Sequence, residues 1–228
     1  MNRLITILVL VVGLAGCKSQ QTEQVQTPGK AVPDPKADEA VYAQAAQNLI
    51  GQFSRALQGE LIAALNASGP AYAMEICRIK APQIAAAHSR DNWAIKRVSE
   101  RFRNPQNRAD TTEMNILTRF ADPAYEQDSY QEWHGPDSAR SFRYCQKIQV
   151  RQMCLQCHGD LQTLDGDLYG KVKMVYPWDK ATGYREGDLR GMFVVEATWP
   201  AGKDMAQLLA SGADITQVGA PDSAAAPQ

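Results

Sequence analysis

The chain has 228 residues, of which 44% are hydrophobic and 21% charged, with a formal net charge of −1. That is enough for one well-cored domain or two small ones. The near-neutral balance argues against a strongly basic nucleic-acid binder and against attraction to anionic membranes by charge alone.

In chain order, Asn2-Arg3 precedes an apolar run from Leu4 to Leu14, broken only by Thr6 and Gly13. The run is short for a bilayer span and has the build of a signal peptide over 1–16. It ends in Leu14-Ala15-Gly16-Cys17, which resembles a bacterial lipobox. The resemblance implies cleavage after Gly16 and a lipid thioether on Cys17; an ordinary signal peptide with an incidental cysteine is the competing reading. Lys18, where an aspartate would mark inner-membrane retention, points by the habit of such lipoproteins to the outer membrane. Residues 17–37, polar and carrying three prolines, read as a flexible tether. The expected location is therefore the periplasmic side, anchored to the membrane by lipid.

From Asp38, Tyr42, Ala46, Leu49, Phe53, Leu57, Leu61 and Leu65 recur at helical steps, and Ser68-Gly69-Pro70 should end that helix. A second helix from Ala71 to about His88 carries Ala73, Cys77, Lys80, Ala81 and Ile84 on one face, with Pro82 as a kink. Trp93–Ser99 reads as a strand. Asp110 and Glu113 have capping-box spacing for a helix that ends at Asp122-Pro123. Tyr130–Trp133 and Ser141–Val150 read as a hairpin about Gly135-Pro136-Asp137. Phe142, Tyr144, Ile148 and Val150 share one face of it, which assigns Cys145, with Arg143 and Lys147, to a more exposed one.

Next comes Cys154-Leu155-Gln156-Cys157-His158, a C-x-x-C-H pentapeptide and the attachment signature of a c-type haem. Two thiols add to the haem vinyl groups, the two-residue spacer lets both reach one porphyrin edge, and the adjacent imidazole becomes an axial iron ligand. With five cysteines and three histidines in the chain, chance would place this pattern in roughly one chain in a thousand of ordinary composition. A half zinc site, a thiol redox pair and a disulfide are the alternatives. A structural zinc site needs a second ligand pair, which His88 and His134 do not form. Export fits the haem reading, because bacterial haem attachment takes place outside the cytoplasmic membrane. Cys77 and Cys145 are then left over, as a disulfide or with one of them a ligand. Asp165-Gly166-Asp167 lacks the remaining ligands of a calcium loop and reads as a turn. Val172–Tyr176 and Gly191–Trp199 read as strands joined by a turn-rich loop. After a short helix from Lys203 to about Ala210 the chain tails off, so the domain is drawn over 38–200 with a low-complexity tail over 201–228.

Several stretches together resemble the PAS-like periplasmic c-type haem-binding domain family, found alone or as input modules of bacterial sensors. They are Ala73-Met74-Glu75-Ile76-Cys77 with Ala81-Pro82, Arg103-Asn104-Pro105 with Asn107, the haem motif with Gly159, and the run from Tyr176-Pro177 through Asp179–Tyr184 and Gly187-Asp188 to Arg190-Gly191. The resemblance implies an α/β (α+β) fold: a PAS-like central antiparallel sheet with N-terminal helices packed on it. It also implies one covalent haem c between helices and sheet, with His158 on one side of the iron and Cys77 on the other. Chemistry alone leaves other second ligands to weigh. Met153 is too close to Cys154 to reach over the haem, Cys145 and His134 read as surface-facing, and His88 sits at a polar helix end; Met74, Met114, Met174 and Met192 complete the set. Cys77 is on an inward stripe, although a small buried core residue is the commonest fate of a free cysteine.

A His/thiolate pair would stabilise ferric iron, and the thiolate bond would weaken on reduction. Ligand loss could open a position for a small gas or move the Cys77 helix. The expected role is thus redox or gas sensing, which needs a partner protein, with low-potential electron transfer to a redox partner as the alternative. A haem peroxidase would need a vacant distal site with a placed acid/base, and none is legible, so no catalytic residue is assigned. Lys180, Arg185 and Arg190 read either as partners of the haem propionates or as solvated loop charges.

Overall fold

The computed structural model describes residues 34–136 and 139–217. Helix α1 runs Pro35–Ala87, with Asp34 capping its start by accepting from the Lys36 N–H at 2.9 Å. It is one helix by hydrogen bonding but two by backbone. Ser68 and Gly69 leave the helical region, Gly69 at φ 76°, where a residue without Cβ is unstrained, and Pro70 reopens the helix. The expected break is thus a kink between two rods. The first rod supplies Tyr42, Ala45, Ala46, Leu49, Ile50 and Phe53 to the core; beyond Phe53 only Ala64 and Ala73 are fully buried.

Four antiparallel strands follow: β1 Trp93–Val98, β2 Ser129–His134, β3 Ser141–Gln149 and β4 Leu189–Thr198, in the order β1-β4-β3-β2. Alternation splits the sheet into two faces. Trp93, Ile95, Phe142, Tyr144, Val195 and Ala197 meet α1 on one face, and burying a side chain the size of Ile95, Phe142 or Val195 contributes about 1.5–3 kcal/mol. The opposite face carries Val98, Cys145, Met192 and Val194 against helix α2, Thr111–Ala121. The Asp110/Glu113 capping box forms in both directions, at 2.8 and 2.9 Å.

Two short helices, α3 Leu155–His158 and α4 Gly166–Val175, lie between β3 and β4, and α5, Lys203–Ala210, follows β4. The reading of Val172–Tyr176 as a strand is corrected by α4. Asp165 caps this helix by accepting from the Leu168 N–H at 2.8 Å, so the supposed turn at Asp165-Gly166-Asp167 is a helix start. Leu168 and Val172, four apart, are its buried pair. The domain also extends past residue 200: α5 buries Met205, Ala206 and Leu209 beside α1, and Ile215 is fully buried after it, so 201–217 are not a low-complexity tail. Among the described residues no helix is long and apolar enough to cross a membrane. Cys17, the leader over 1–16 and the final residues 218–228 lie outside the described residues. The architecture is α+β, with a central antiparallel sheet between helices.

Candidate functional site

Cys154 and Cys157 straddle the start of α3, whose last residue is His158. So short a helix has little stability of its own, and the chain around it supplies the hold. The Gly159 N–H donates to the Leu155 carbonyl at 2.9 Å and closes the turn. A Cβ on Gly159 would lie 2.6 Å from that carbonyl oxygen, so only glycine fits unchanged. The Gly183 and Tyr184 N–H groups donate to the carbonyls of Gly159, at 2.6 Å, and His158, at 3.0 Å. Val150, Ala181 and Tyr184 form a small apolar cluster on which Cys154 and Leu155 rest.

The tightest brace is ionic. Asp179, its side chain fully buried, accepts from Arg103 Nε and Nη2 at 3.3 Å each and from the Ala181 N–H at 2.9 Å. Arg103 Nη2 also donates to the carbonyls of Cys157, at 2.6 Å, and Ala181, at 3.4 Å. The imidazole Nδ1 of His158 lies 2.6 Å from the Ala181 carbonyl oxygen. A carbonyl can only accept, so Nδ1 carries the proton and Nε2 keeps its lone pair for a ligand role. Burial pushes the His158 proton affinity well below the usual imidazole range, and the positive charges of Arg190, Arg103 and Arg97 push the same way, against the Ala181 bond. The ring is neutral at pH 7, the form that binds iron.

Cys77 comes from the second rod of α1, which touches α4. Its thiol is half-buried and makes no hydrogen bond among the described residues. It lies within electrostatic reach of Cys157, Arg97 and Tyr176, so the helix and the haem motif converge. Burial raises the thiol's pKa, Arg97 opposes that, and Cys157 and Glu60 add to it.

The other candidate ligands fall elsewhere. Cys145, expected on an exposed face, is fully buried under α2, and burial pushes its pKa up to about 12. The face opposite Tyr144 is not a solvent face, because α2 covers it. The sheet therefore separates Cys145 from Cys77; both are free thiols, and no disulfide joins them. Met192 shares the buried cluster of Cys145, with Met114 packed against it. His88, expected to be polar in context, is buried, with Nδ1 2.8 Å from the Ile84 carbonyl oxygen and its ring edge-on to Phe53. His134 is not simply solvent-facing: Nε2 lies 2.9 Å from Glu196 Oε2, beside the Arg143–Glu132 pair. Met153 and Met174 are exposed, Met174 at 76%. Lys180 and Arg185 are exposed loop charges, whereas Arg190 is half-buried and donates to Ser99 Oγ at 3.0 Å.

Sequence reasoning missed the roles of Arg103, Asp179 and Ala181. Their signal was present: an arginine before Asn-Pro and an aspartate inside a proline- and glycine-rich loop, two polar anchors in segments with little apolar material to hold them.

Comparison with known proteins bears on the fold and the family. No curated protein matches the chain. Among solved structures, one titled as the crystal structure of the cyanobacterial heme-protein Tll0287 shares the fold, at TM-score 0.52 and 22% identity, covering 74% of this chain and 99% of that one. The Tll0287-like family matches residues 19–198, most of the chain and all of the site. The chain belongs to the Tll0287-like family.

Proposed function

We propose that this protein binds one haem c through thioethers from Cys154 and Cys157, with His158 and Cys77 as axial ligands, and serves in redox or gas sensing. The observation that carries the reading is the neutral His158 imidazole, its Nδ1 committed to Ala181 and its Nε2 without a hydrogen bond among the described residues, in a motif whose Cys157 lies within electrostatic reach of the Cys77 thiol. The donor set fits: two thiols two residues apart, an oriented imidazole, and a second soft ligand from another element. A bound haem would supply one-electron and diatomic-gas chemistry. The protein's own residues do the rest. Arg103 and Asp179 fix the turn that carries both thiols, Ala181 holds the imidazole proton, and Cys77 rides on the less buried rod of α1, beyond the Gly69 kink. That rod can shift without unpacking the Tyr42–Phe53 core, as a PAS-like input element would. Export, a lipid on Cys17 and an outer-membrane position belong to the same proposal, as does a signalling partner protein.

Expression with a haem-maturation system and absorption spectroscopy test it. A covalently bound low-spin haem whose ferric spectrum changes in Cys77→Ala supports the assignment. A colourless protein refutes the haem, and an unchanged Cys77→Ala spectrum refutes the thiolate. A second reading, a low-potential electron carrier, is favoured by the apolar surface exposed at Leu161, Met174 (76%) and Trp178 (71%), which suits docking of a redox partner. Spectra across a redox titration separate the two: constant ligation marks a carrier, ligand exchange or gas binding a sensor.

A further inference from the structure

On β1 the residues Trp93, Ile95 and Arg97 alternate onto the α1 face, and Arg97 pairs in register with Phe193 of β4. Trp93 and Ile95 enter the core. Arg97 continues the same row, half-buried, to within electrostatic reach of Cys77 and Tyr176. Among the described residues its guanidinium donates no hydrogen bond and meets no carboxylate at ion-pair distance. On β4, Arg190 is also half-buried, and its Nη1 donates only to neutral oxygens, Ser99 Oγ at 3.0 Å and the Arg101 carbonyl at 3.2 Å. Burial lowers the proton affinity of both groups, and a neighbouring cation adds to it: Arg190 for Arg97, Arg103 for Arg190. Asp179, the fully buried carboxylate within electrostatic reach of Arg190, is committed to Arg103. Two cations withdrawn from water without an anion are costly to keep, and a fold that keeps them has a use for an incoming negative group. A planar carboxylate matches the guanidinium fork in shape and charge.

We infer that Arg97 and Arg190 form a carboxylate-binding pair that receives the propionates of the haem. The inference rests on the haem reading above, and a haem brings two carboxylates to two guanidiniums that have no carboxylate at ion-pair distance among the described residues. Arg97 is the cleaner probe, because it makes no bond within the protein that its replacement would break.

The test uses the full-length, haem-loaded protein and its Arg97→Gln and Arg97→Lys variants, with circular dichroism confirming the fold. Removing a unit charge beside the haem favours the ferric state, because the iron is more positive there. At fixed potential the ferric-to-ferrous ratio should rise by about tenfold in Arg97→Gln, equivalent to about 59 mV for one electron. The propionate bending band in the resonance Raman spectrum should shift, and Arg97→Lys should restore the potential but only part of the band. A haem-loaded Arg97→Gln protein with wild-type potential and band overturns the inference. If Arg97→Gln folds without haem, loading restored by Arg97→Lys supports the pair, and no restoration overturns it. A wild-type protein without haem is a separate result, fatal to the haem reading itself.

Discussion

Replacing Asp179 by alanine tests whether one buried carboxylate organises the haem-motif turn. The carboxylate is fully buried, and the Arg103 side chain is 13% exposed, so water compensates little for the loss. The substitution removes both bonds from Arg103 and orphans the buried Ala181 N–H, whose own carbonyl positions His158. Breaking a buried ion pair on one side costs about 3–5 kcal/mol. Arg103 keeps its bonds to the Cys157 and Ala181 carbonyls, which places the expected loss near the lower end, about 3 kcal/mol. For a domain of this size that lowers Tm by about 6–12 °C. Asp179→Asn keeps an acceptor for the Ala181 N–H and should lose less. Thermal and urea unfolding of the three proteins measure this, with haem incorporation per chain as the second readout. Stability within about 1 kcal/mol of wild type together with normal haem loading would sink the argument that this pair holds the turn.

Gly159→Ala forces a Cβ to 2.6 Å from the Leu155 carbonyl oxygen, so it should destabilise by about 1–3 kcal/mol and reduce haem loading, read by unfolding and by absorbance per chain. Cys145→Ala should cost about 1–2 kcal/mol yet leave the haem spectrum unchanged, since its thiol lies under α2. In native protein at pH 8 iodoacetamide should spare Cys145, whose pKa is pushed up to about 12; rapid labelling would contradict its burial. His158 binds its proton more weakly folded than unfolded, so below about pH 6.5 the unfolded chain takes up more protons. Haem-free protein should then lose up to about 1.4 kcal/mol per pH unit until the folded value is reached, with stability fully retained above that window. Urea midpoints across pH 4–8 check this, and His158→Gln should flatten the slope; a wild-type midpoint constant over that range would contradict it.

Helix periodicity read both rods of α1 and the break between them, because Ser68-Gly69-Pro70 combines a left-handed glycine with a proline ready to restart the helix. The capping box placed α2 equally well. Reasoning failed where short range and long range disagree. Val172–Tyr176 has strand-like composition, and only the cap at Asp165 with the Leu168/Val172 spacing reveals a helix. Cys145 alternates with charged neighbours, so its strand looks half-exposed; its burial comes from α2, a partner that alternation within the strand cannot see. The proposed donors Cys154, Cys157 and His158 were legible because the C-x-x-C-H signature has a fixed spacing. Their support was not, because Arg103, Asp179 and Ala181 meet only after the chain has folded back across many residues.

The division of the thiols between two faces of one sheet has a consequence for folding under oxidising conditions. Once β3 is sealed between β2 and β4, with α2 closed over it, Cys145 is quarantined: oxidants and sister thiols would have to pass through hydrogen-bonded strands to reach it. Wrong disulfides to Cys145 can therefore form only in chains that have not yet closed the α2 layer. Among the described residues, early folding of that layer leaves the thiols of Cys77, Cys154 and Cys157 open to chemistry, on the side of the sheet away from α2.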